Sequence, residues 1–220
     1  MHQQNDGFSG FHFMKWTSAE IAALERFYRA NLINSVTGFK SLCLLGTIGP
    51  DGQTNLAVFT QVFHIGAAPA LIGIVFRPQV PGMHSLSHIR SSGIFTLNHV
   101  KEDESMQAHH TSARWEQSEF TAVGLEAEFL EGFAAPFVKG SRIRMAMKPE
   151  QEIHLDLNDT TLLIASVQYL EVPDHALCED GFADLIKAGS LAGSGLDAYV
   201  VPAAMQRFSY ARTGEKPRLI

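Results

Sequence analysis

Three runs rich in β-branched and aromatic residues follow one another between Lys40 and Arg77, and they constrain the fold more than any other part of the chain. The runs are KSLCLLGTI, TNLAVFTQVFH and APALIGIVFR. Pro50-Asp51-Gly52 separates the first two runs as a hairpin turn would, and a further apolar run, GIFTLN, ends at Asn98. Strands in a series with few intervening helices predict an antiparallel barrel, not a parallel α/β sheet.

The composition describes an ordinary globular protein. Of its 220 residues 45% are hydrophobic, and its net charge of −6 offers no basic face for nucleic acid. No apolar run reaches the length that spans a bilayer, and the first residues lack the pattern of a signal peptide. We therefore expect a cytoplasmic protein with a single domain over residues 1–220, in which 1–16 form an N-terminal arm and 40–200 form the core.

Helical or turn signals flank the β-rich zone. Thr17 and Glu20 form a capping box, and an apolar stripe behind it predicts one helix that covers a sheet or the end of a barrel with core-packing side chains. The stripe consists of Ile21, Leu24, Phe27, Tyr28 and Leu32. Residues 141–173 predict a long antiparallel hairpin that turns at Asn158-Asp159. The final segments DGFADLIKAG and LAGSGLDAY predict short helical pieces.

Two motifs offer alternatives from other functional classes. Gly193-Ser194-Gly195 opens a GxGxxA pattern, but too little chain follows for a βαβ unit, so we interpret these glycines as a turn. His84 and His88 have the i, i+4 spacing of a metal-binding pair, although no third ligand is indicated. A metal-dependent enzyme using these histidines therefore remains one open alternative.

Groups suited to an anion follow the third strand-like run. The run ends at Arg77, and His84, Ser85 and the amide of Leu86 come shortly afterwards, at a predicted helix start. A guanidinium, hydroxyls and the first N–H groups of a helix bind phosphate by charge-assisted hydrogen bonds. A sheet edge with small side chains and free backbone groups suits a flat heterocycle. The sequence thus favours a site for a flat heterocycle that carries a phosphate, such as flavin mononucleotide (FMN).

In order and spacing, these segments resemble the flavin reductase-like FMN-binding family, over roughly Lys40 to Tyr199. The segments that carry the resemblance are Asn55-Leu56-Ala57-Val58-Phe59-Thr60, Ser85-x-x-His88-Ile89, Phe95-Thr96-Leu97-Asn98 and Phe137-Val138-Lys139-Gly140-Ser141. The resemblance implies a mainly β protein: an antiparallel Greek-key split β-barrel with peripheral helices. It also implies FMN as cofactor and a homodimer with FMN at the interface. Val58, Thr60, Ser85 and His88 stand where the common pattern has Pro, Ser, Thr and Asn.

We expect three groups of residues to contact FMN. Backbone groups of the second strand-like run should line the edge of the isoalloxazine ring and donate to its N5 and O4 atoms. These residues are Asn55, Ala57, Val58, Phe59, Thr60 and Gln61. The phosphate should be held by Arg77, His84, Ser85 and the amide of Leu86. The ribityl chain or the pyrimidine edge should meet Ser112, in the segment 110–113, and Lys139 and Ser141, which a second subunit could supply.

The resemblance implies a flavoprotein oxidoreductase. In such an enzyme FMN takes hydride from NAD(P)H and passes electrons to a second flavin, to oxygen or to a small acceptor. We assign no residue as a catalytic acid or base, because the cofactor performs the chemistry and the protein positions it. The alternative from another class is a non-catalytic FMN-binding or electron-transfer protein. Neither function involves nucleic acid or a membrane.

Overall fold

The structure is a computed structural model, and it describes residues 12–220. Of the predicted N-terminal arm, residues 1–11 lie outside the described part. The helices are α1 (Ser18–Ala23), α2 (Arg26–Val36), α3 (Ser85–Ser92), α4 (Ser105–His110) and α5 (Glu119–Val123). The strands are β1 (Lys40–Ser41), β2 (Cys43–Ile48), β3 (Thr54–Phe59), β4 (Val62–Ala67), β5 (Ala70–Phe76), β6 (Phe95–His99), β7 (Ala127–Leu130), β8 (Phe133–Val138), β9 (Arg144–Leu155), β10 (Thr160–Glu171), β11 (Ala192–Ser194) and β12 (Ala198–Val200).

Seven strands form one antiparallel sheet in the order β3-β2-β6-β9-β10-β5-β4. The two edge strands, β3 and β4, are consecutive in the chain and are joined only by Thr60 and Gln61. The three residue steps from Phe59 to Val62 span at most roughly 11 Å, so the two edges must meet at this link. The sheet therefore curls into a barrel that is split between β3 and β4. The predicted mainly β, antiparallel split-barrel fold is confirmed.

The link at Thr60 and Gln61 corrects one prediction. The sequence run TNLAVFTQVFH predicts one strand, but the chain bends after Phe59 and resumes as a strand at the opposite edge of the sheet. Phe59 and Val62 both pack against the same buried cluster inside the barrel. In a straight strand, residues three positions apart point to opposite faces, because successive side chains alternate. The bend is what allows Phe59 and Val62 to pack against the same cluster.

Two large apolar clusters form the core on the two faces of the sheet, and a third, smaller cluster consists of Ile143, Ala176 and Ala188. The barrel interior contains Cys43, Leu45, Ile74, Phe76, Leu86, Ile89, Phe95, Leu97, Met147, Leu163 and Ala165. The outer cluster lies under α4, α5 and β8 and contains Leu42, Leu44, Leu56, Val100, Ala108, Phe120, Val138 and Leu191. Strand β2 contributes to both clusters, because its residues alternate between the faces. Residues 43–47 of β2 are consequently buried from solvent, and Ile48 is partly buried.

The N-terminal helices differ from the predicted single helix. The capping box is present, with the Thr17 N–H donating to Glu20 Oε2 at 2.6 Å and the Glu20 N–H to Thr17 Oγ1 at 3.3 Å. The helix then ends, and the Glu25 carboxylate caps a second helix by accepting the N–H groups of Phe27 and Tyr28. Neither helix buries a residue, and Phe27 is 71% exposed. The prediction that this stripe packs into the core is therefore wrong for the single chain.

The C-terminal half contains one confirmed prediction and two wrong ones, of which the first is DGFADLIKAG, which forms turns and not a helix. The long hairpin is formed by β9 and β10, and Asp159 adopts a left-handed conformation with φ 56° at its turn. The segment LAGSGLDAY is not helical: it forms the hairpin β11–β12, which turns at Gly195 with φ 63°. Gly193 lies against Thr60, where an added Cβ would come within 2.8 Å of Thr60 Cγ2. This close approach explains the glycine and places the hairpin beside the β3–β4 link.

Histidine 99, the last residue of β6, makes the stability of the protein depend on pH. Burial lowers the pKa of His99 from 6.5 to about 4, and its Nδ1 lies 3.0 Å from Ser190 Oγ. The unfolded chain thus takes up the proton first as the pH falls, so stability is complete above pH 6.5 and is lost between pH 6.5 and 4. We expect roughly 3 kcal/mol of this loss to disappear in His99→Gln. Urea unfolding of both proteins across this range measures it.

The matched control for this experiment is His154→Gln, at the exposed end of β9. His154 lies near Asp156 in a solvent-exposed pair, so its replacement leaves the surroundings of the buried His99 intact. An unaltered slope in His99→Gln would contradict the buried neutral state of His99.

Candidate functional site

A buried polar network fixes the start of β3 against α3. Asn55 is 6% exposed, and its Nδ2 donates to Thr47 Oγ1 at 3.2 Å and to Ser85 Oγ at 3.1 Å. Thr47 Oγ1 also lies 3.4 Å from His88 Nδ1. Since Ser85 Oγ accepts from Asn55, its own proton is left to donate to another group. The structure therefore brings together Asn55, Ser85 and His88, three residues that the sequence analysis identifies, at one end of β3.

The first turn of α3 presents free backbone donors at this network. The first helical hydrogen bond runs from the His88 N–H to the His84 carbonyl, at 2.9 Å. The N–H groups of Ser85, Leu86 and Ser87 consequently receive no partner from the helix. His84 occupies the N-cap position and makes no side-chain capping bond. The predicted position of the Leu86 amide at a helix start is confirmed, and this helix start can bind an anion.

A cavity of about 330 Å³ opens beside this network. Its lining includes Asn55, His84, His88, Trp115, Asp51 and Glu119. The His84 and His88 rings stack with centroids 5.6 Å apart. Burial, and then the neighbouring His84, lower the pKa of His88, while Asp51 opposes the shift. His88 is therefore a neutral hydrogen-bonding group at pH 7 and not a fixed positive charge.

The outer edge of β3 is partly covered by side chains that the sequence analysis missed. The Leu56 N–H donates to Glu119 Oε2 at 2.9 Å, and the Val58 N–H donates to Thr111 Oγ1 at 3.0 Å. Burial raises the pKa of Glu119, and the bond from Leu56 opposes this shift. Glu119 and Thr111 lie more than fifty residues from their partners, and no motif marks them. Only the tertiary structure could reveal these contacts.

These bonds reduce the number of backbone N–H groups along β3 that are available to a ligand. Because the N–H groups of Leu56 and Val58 point away from the sheet, those of Asn55, Ala57 and Phe59 alternate toward β2. For the N–H groups of Thr60 and Gln61, the described residues provide no hydrogen-bond acceptor. The two unpaired donors therefore lie at the β3–β4 link, at the end of β3 opposite to Asn55.

The ends of β3 and β5 meet at this link. The rings of Phe59 and Phe76 form an edge-to-face pair with centroids 5.0 Å apart. Arg77 follows Phe76 directly, is exposed, and has no carboxylate partner among residues 12–220. The structure therefore places Arg77 beyond the end of β5, whereas the other predicted phosphate ligands, His84, Ser85 and Leu86, lie at the start of α3.

Three further predicted residues are divided between two places. Ser112 lies at the end of α4, next to the Thr111 hydroxyl that contacts β3, and donates to the His109 carbonyl at 2.6 Å. Lys139 forms an exposed ion pair with Glu126 at 2.6 Å. Ser141 is buried and donates to the His99 carbonyl at 2.8 Å. Within the described residues, no contact joins Lys139 or Ser141 to the β3 edge.

The arrangement suits a ligand that lies along β3. Asn55 and Thr60 are five residue steps apart, about 17 Å in an extended strand. The start of α3 lies at one end, the Thr111–Ser112 segment lies near the middle, and the N–H groups of Thr60 and Gln61, which meet no acceptor within residues 12–220, lie at the other end. An extended molecule with a terminal phosphate, a polar chain and a flat ring with acceptor atoms matches this order. FMN has this constitution, so the residues present fit it.

Two features of the described residues bear on other functional classes. Across residues 12–220 no three His, Cys, Asp or Glu side chains are grouped as a metal site would need. In the same part of the chain, no helix combines the length and the hydropathy needed to cross a bilayer.

Comparison with known proteins gives consistent matches. The flavin reductase like domain matches residues 39–185. A protein assigned as a flavin reductase with a split barrel domain, from Shewanella frigidimarina, is 41% identical over 90% of this chain and 100% of its own, with a TM-score of 0.86. Nitrilotriacetate monooxygenase component B from Bacillus cereus is 19% identical over 89% and 98%, with a TM-score of 0.76. Flavoredoxin of Desulfovibrio vulgaris is 18% identical over 80% and 91%, with a TM-score of 0.65. No curated protein matches the chain.

Proposed function

Because the chain belongs to the flavin reductase-like domain family, we propose that it is an FMN-dependent oxidoreductase. It passes reducing equivalents from NAD(P)H through bound FMN to a free flavin or to another small acceptor. The observation that carries this proposal is the pairing of an uncapped helix start at one end of β3 with two free N–H donors at the other. These groups match the phosphate and the ring edge of one FMN molecule.

Each part of the site has a distinct task in this proposal. The amides of Ser85 and Leu86, the Ser85 hydroxyl and His84 bind the phosphate. The exposed Arg77 guanidinium lies beyond the end of β5 and nearer to the link, so it adds a positive charge that attracts the phosphate without a direct bond assigned to it. The N–H groups of Thr60 and Gln61 donate to the ring edge, where bound FMN supplies the hydride-accepting chemistry at N5. Asn55, Ala57, Val58 and Phe59 form the strand on which the ligand lies. Fixed amides need no reorganisation when charge reaches the ring.

We also propose a cytoplasmic homodimer in which each chain is one domain and the FMN sites lie at the interface. The apolar residues left exposed by α2 and its C-terminal extension support this, since Phe27, Val36 and Phe39 are 71%, 68% and 74% exposed. Covering them with a second copy removes this surface from water by a closed, two-fold contact. Lys139, which the single chain keeps away from β3, then contributes from the partner, whereas the buried Ser141, whose hydroxyl bonds the His99 carbonyl, supports that segment from within its own chain.

The proposal is tested by anaerobic stopped-flow reduction of purified holoprotein with NADH and with NADPH. We expect bleaching of the visible flavin band by at least one nicotinamide, and then oxidation of further nicotinamide, followed in the near ultraviolet, when free riboflavin is added. Light scattering on the same sample should give the mass of two chains. Heat-released cofactor should be FMN by chromatography.

Two results would lead elsewhere. A protein that is colourless and takes up no FMN on soaking overturns the proposal. A yellow protein that neither nicotinamide reduces favours the second candidate, a non-catalytic FMN-binding or electron-transfer protein.

A further inference from the structure

Tyr199 and His109 form a hydrogen-bonded pair, and neither residue has a role in the FMN site proposed above. The Tyr199 hydroxyl lies 2.9 Å from His109 Nδ1, and the two rings are nearly perpendicular with centroids 5.7 Å apart. Tyr199 belongs to β12, and His109 belongs to the last turn of α4. The bond therefore joins two elements that are ninety residues apart in the chain.

Contacts on both sides place this pair beside the ring end of the site. In the β11–β12 hairpin Tyr199 is directly opposite Gly193, whose backbone packs against the Thr60 side chain. Two residues after His109, Thr111 accepts the N–H of Val58. Tyr199 and Val58 also pack against the same outer apolar cluster. The pair thus borders the last residues of β3 from two independent elements.

The pair also connects this border to solvent. Tyr199 is half-buried and His109 is exposed, so a path runs from the phenol through the imidazole to water. Burial, and then the charge of Asp197, raise the pKa of Tyr199 above its ordinary value of 10.0. The phenol therefore carries its proton at neutral pH. Asp197 on the hairpin and His109 on α4 are the titratable groups known to act on it.

We infer that Tyr199 and His109 form a proton relay for the acceptor half of the reaction. The inference rests on the proposed function, because it needs reduced FMN as the source of hydride. An acceptor such as a free oxidised flavin takes up two electrons and two protons: one hydride from the reduced cofactor and one proton. The Tyr199 O–H bond breaks as that proton reaches the acceptor, a ring N–H of His109 reprotonates the phenolate, and water reprotonates His109.

The relay predicts an effect on one half-reaction only. Hydride transfer from the nicotinamide to bound FMN requires no second proton. NADH should therefore reduce the FMN of Tyr199→Phe and of His109→Ala at a rate within twofold of the wild-type rate. Reoxidation by free riboflavin should slow by about 100-fold, since a positioned acid contributes about 10²–10⁴ in rate. Added imidazole should restore His109→Ala, because the position is exposed, but should not restore Tyr199→Phe.

Readouts outside turnover separate this role from a structural one. Fluorescence titration of the apoprotein should give an FMN dissociation constant within twofold of the wild type for both variants. Ultraviolet titration of the apoprotein should lose one of two late-titrating phenols in Tyr199→Phe and the other in Tyr169→Phe, because the hydrogen bond to Glu171 raises the pKa of Tyr169 as well. Tyr169→Phe, whose hydroxyl bonds Glu171 at 2.6 Å on β10, and His154→Ala are matched controls that should retain wild-type rates.

The outcomes are distinguishable. Equal slowing of both half-reactions together with weaker FMN binding shows that the pair only shapes the site, and it overturns the relay. Wild-type reoxidation rates in both variants overturn it as well. Failure of the wild type itself to bind FMN overturns the proposed function, and the relay falls with it.

Discussion

Replacing Arg77 and Ser85 with alanine together is expected to weaken FMN binding by about 10- to 100-fold, since the Ser85 hydrogen bond to a charged group contributes about 1.5–3 kcal/mol and the Arg77 charge adds to the attraction. Arg77 has no carboxylate partner among the described residues, and the Ser85 proton is free to donate because Asn55 satisfies its oxygen. Riboflavin lacks the phosphate, so its affinity should stay within twofold of the wild-type value. Fluorescence titration of the apoprotein with both ligands measures the difference.

The matched control is Arg90→Ala with Ser91→Ala, which removes the same residue types from the far end of α3. Arg90 pairs with Glu152 at 2.7 Å, and Ser91 donates to the His88 carbonyl at 3.0 Å. Both are exposed and point to contacts outside the site. The control should bind FMN and riboflavin as the wild type does. Equal losses of both ligands in Arg77→Ala/Ser85→Ala would contradict a phosphate site at this helix start.

Gly46→Ala is expected to destabilise the barrel by about 3 kcal/mol or more, because overpacking a core costs about 1–3 kcal/mol even where side chains can move. At Gly46 an added Cβ would lie 2.2 Å from the Pro136 carbonyl oxygen and 2.6 Å from Thr96 Oγ1. These two oxygens are themselves hydrogen-bonded at 2.6 Å. Relief requires β8 to move away from β2, which separates the outer cluster from the sheet.

Thermal unfolding measures this effect, and a loss of this size lowers Tm by roughly 6–12 °C for a chain of this length. Gly66→Ala is the matched control, since Gly66 is also a strand glycine with no positive φ, and its added Cβ would meet only the Pro69 oxygen at 3.4 Å. Similar Tm values for the two variants would show that β2 and β8 are less closely packed than described.

The sequence predicted features that depend on neighbouring residues. The turns at Pro50-Asp51-Gly52 and Asn158-Asp159 and the capping box of Thr17 and Glu20 are all confirmed, because a few adjacent side chains determine each of them. The helix start at Ser85 belongs to the same class. These local elements, taken in order, were sufficient for the mainly β antiparallel fold and for one end of the candidate site.

Features that depend on distant partners could not be predicted. Nothing near Leu56 or Val58 indicates that Glu119 and Thr111 occupy their N–H groups, because the contacts span more than fifty residues. The bend at Thr60 is invisible in an uninterrupted β-forming run. The segment of the hairpin β11–β12 predicts a helix by its local pattern. Its glycines are instead required by the close contact of Gly193 with Thr60 and by the turn at Gly195. The functional roles of Arg77, Ser112, Lys139 and Ser141 remain predictions.

The two-residue link between β3 and β4 has a consequence for how such an enzyme can diversify. One inserted residue there would reverse the facing of every side chain beyond it and drive Phe59 and Val62 apart. The loops of residues 77–84 and 111–118 also end at the site, yet they belong to no strand. Lengthening a surface loop costs little entropy. Natural variation in acceptor choice should therefore accumulate as insertions in those two loops, while the link keeps a constant length.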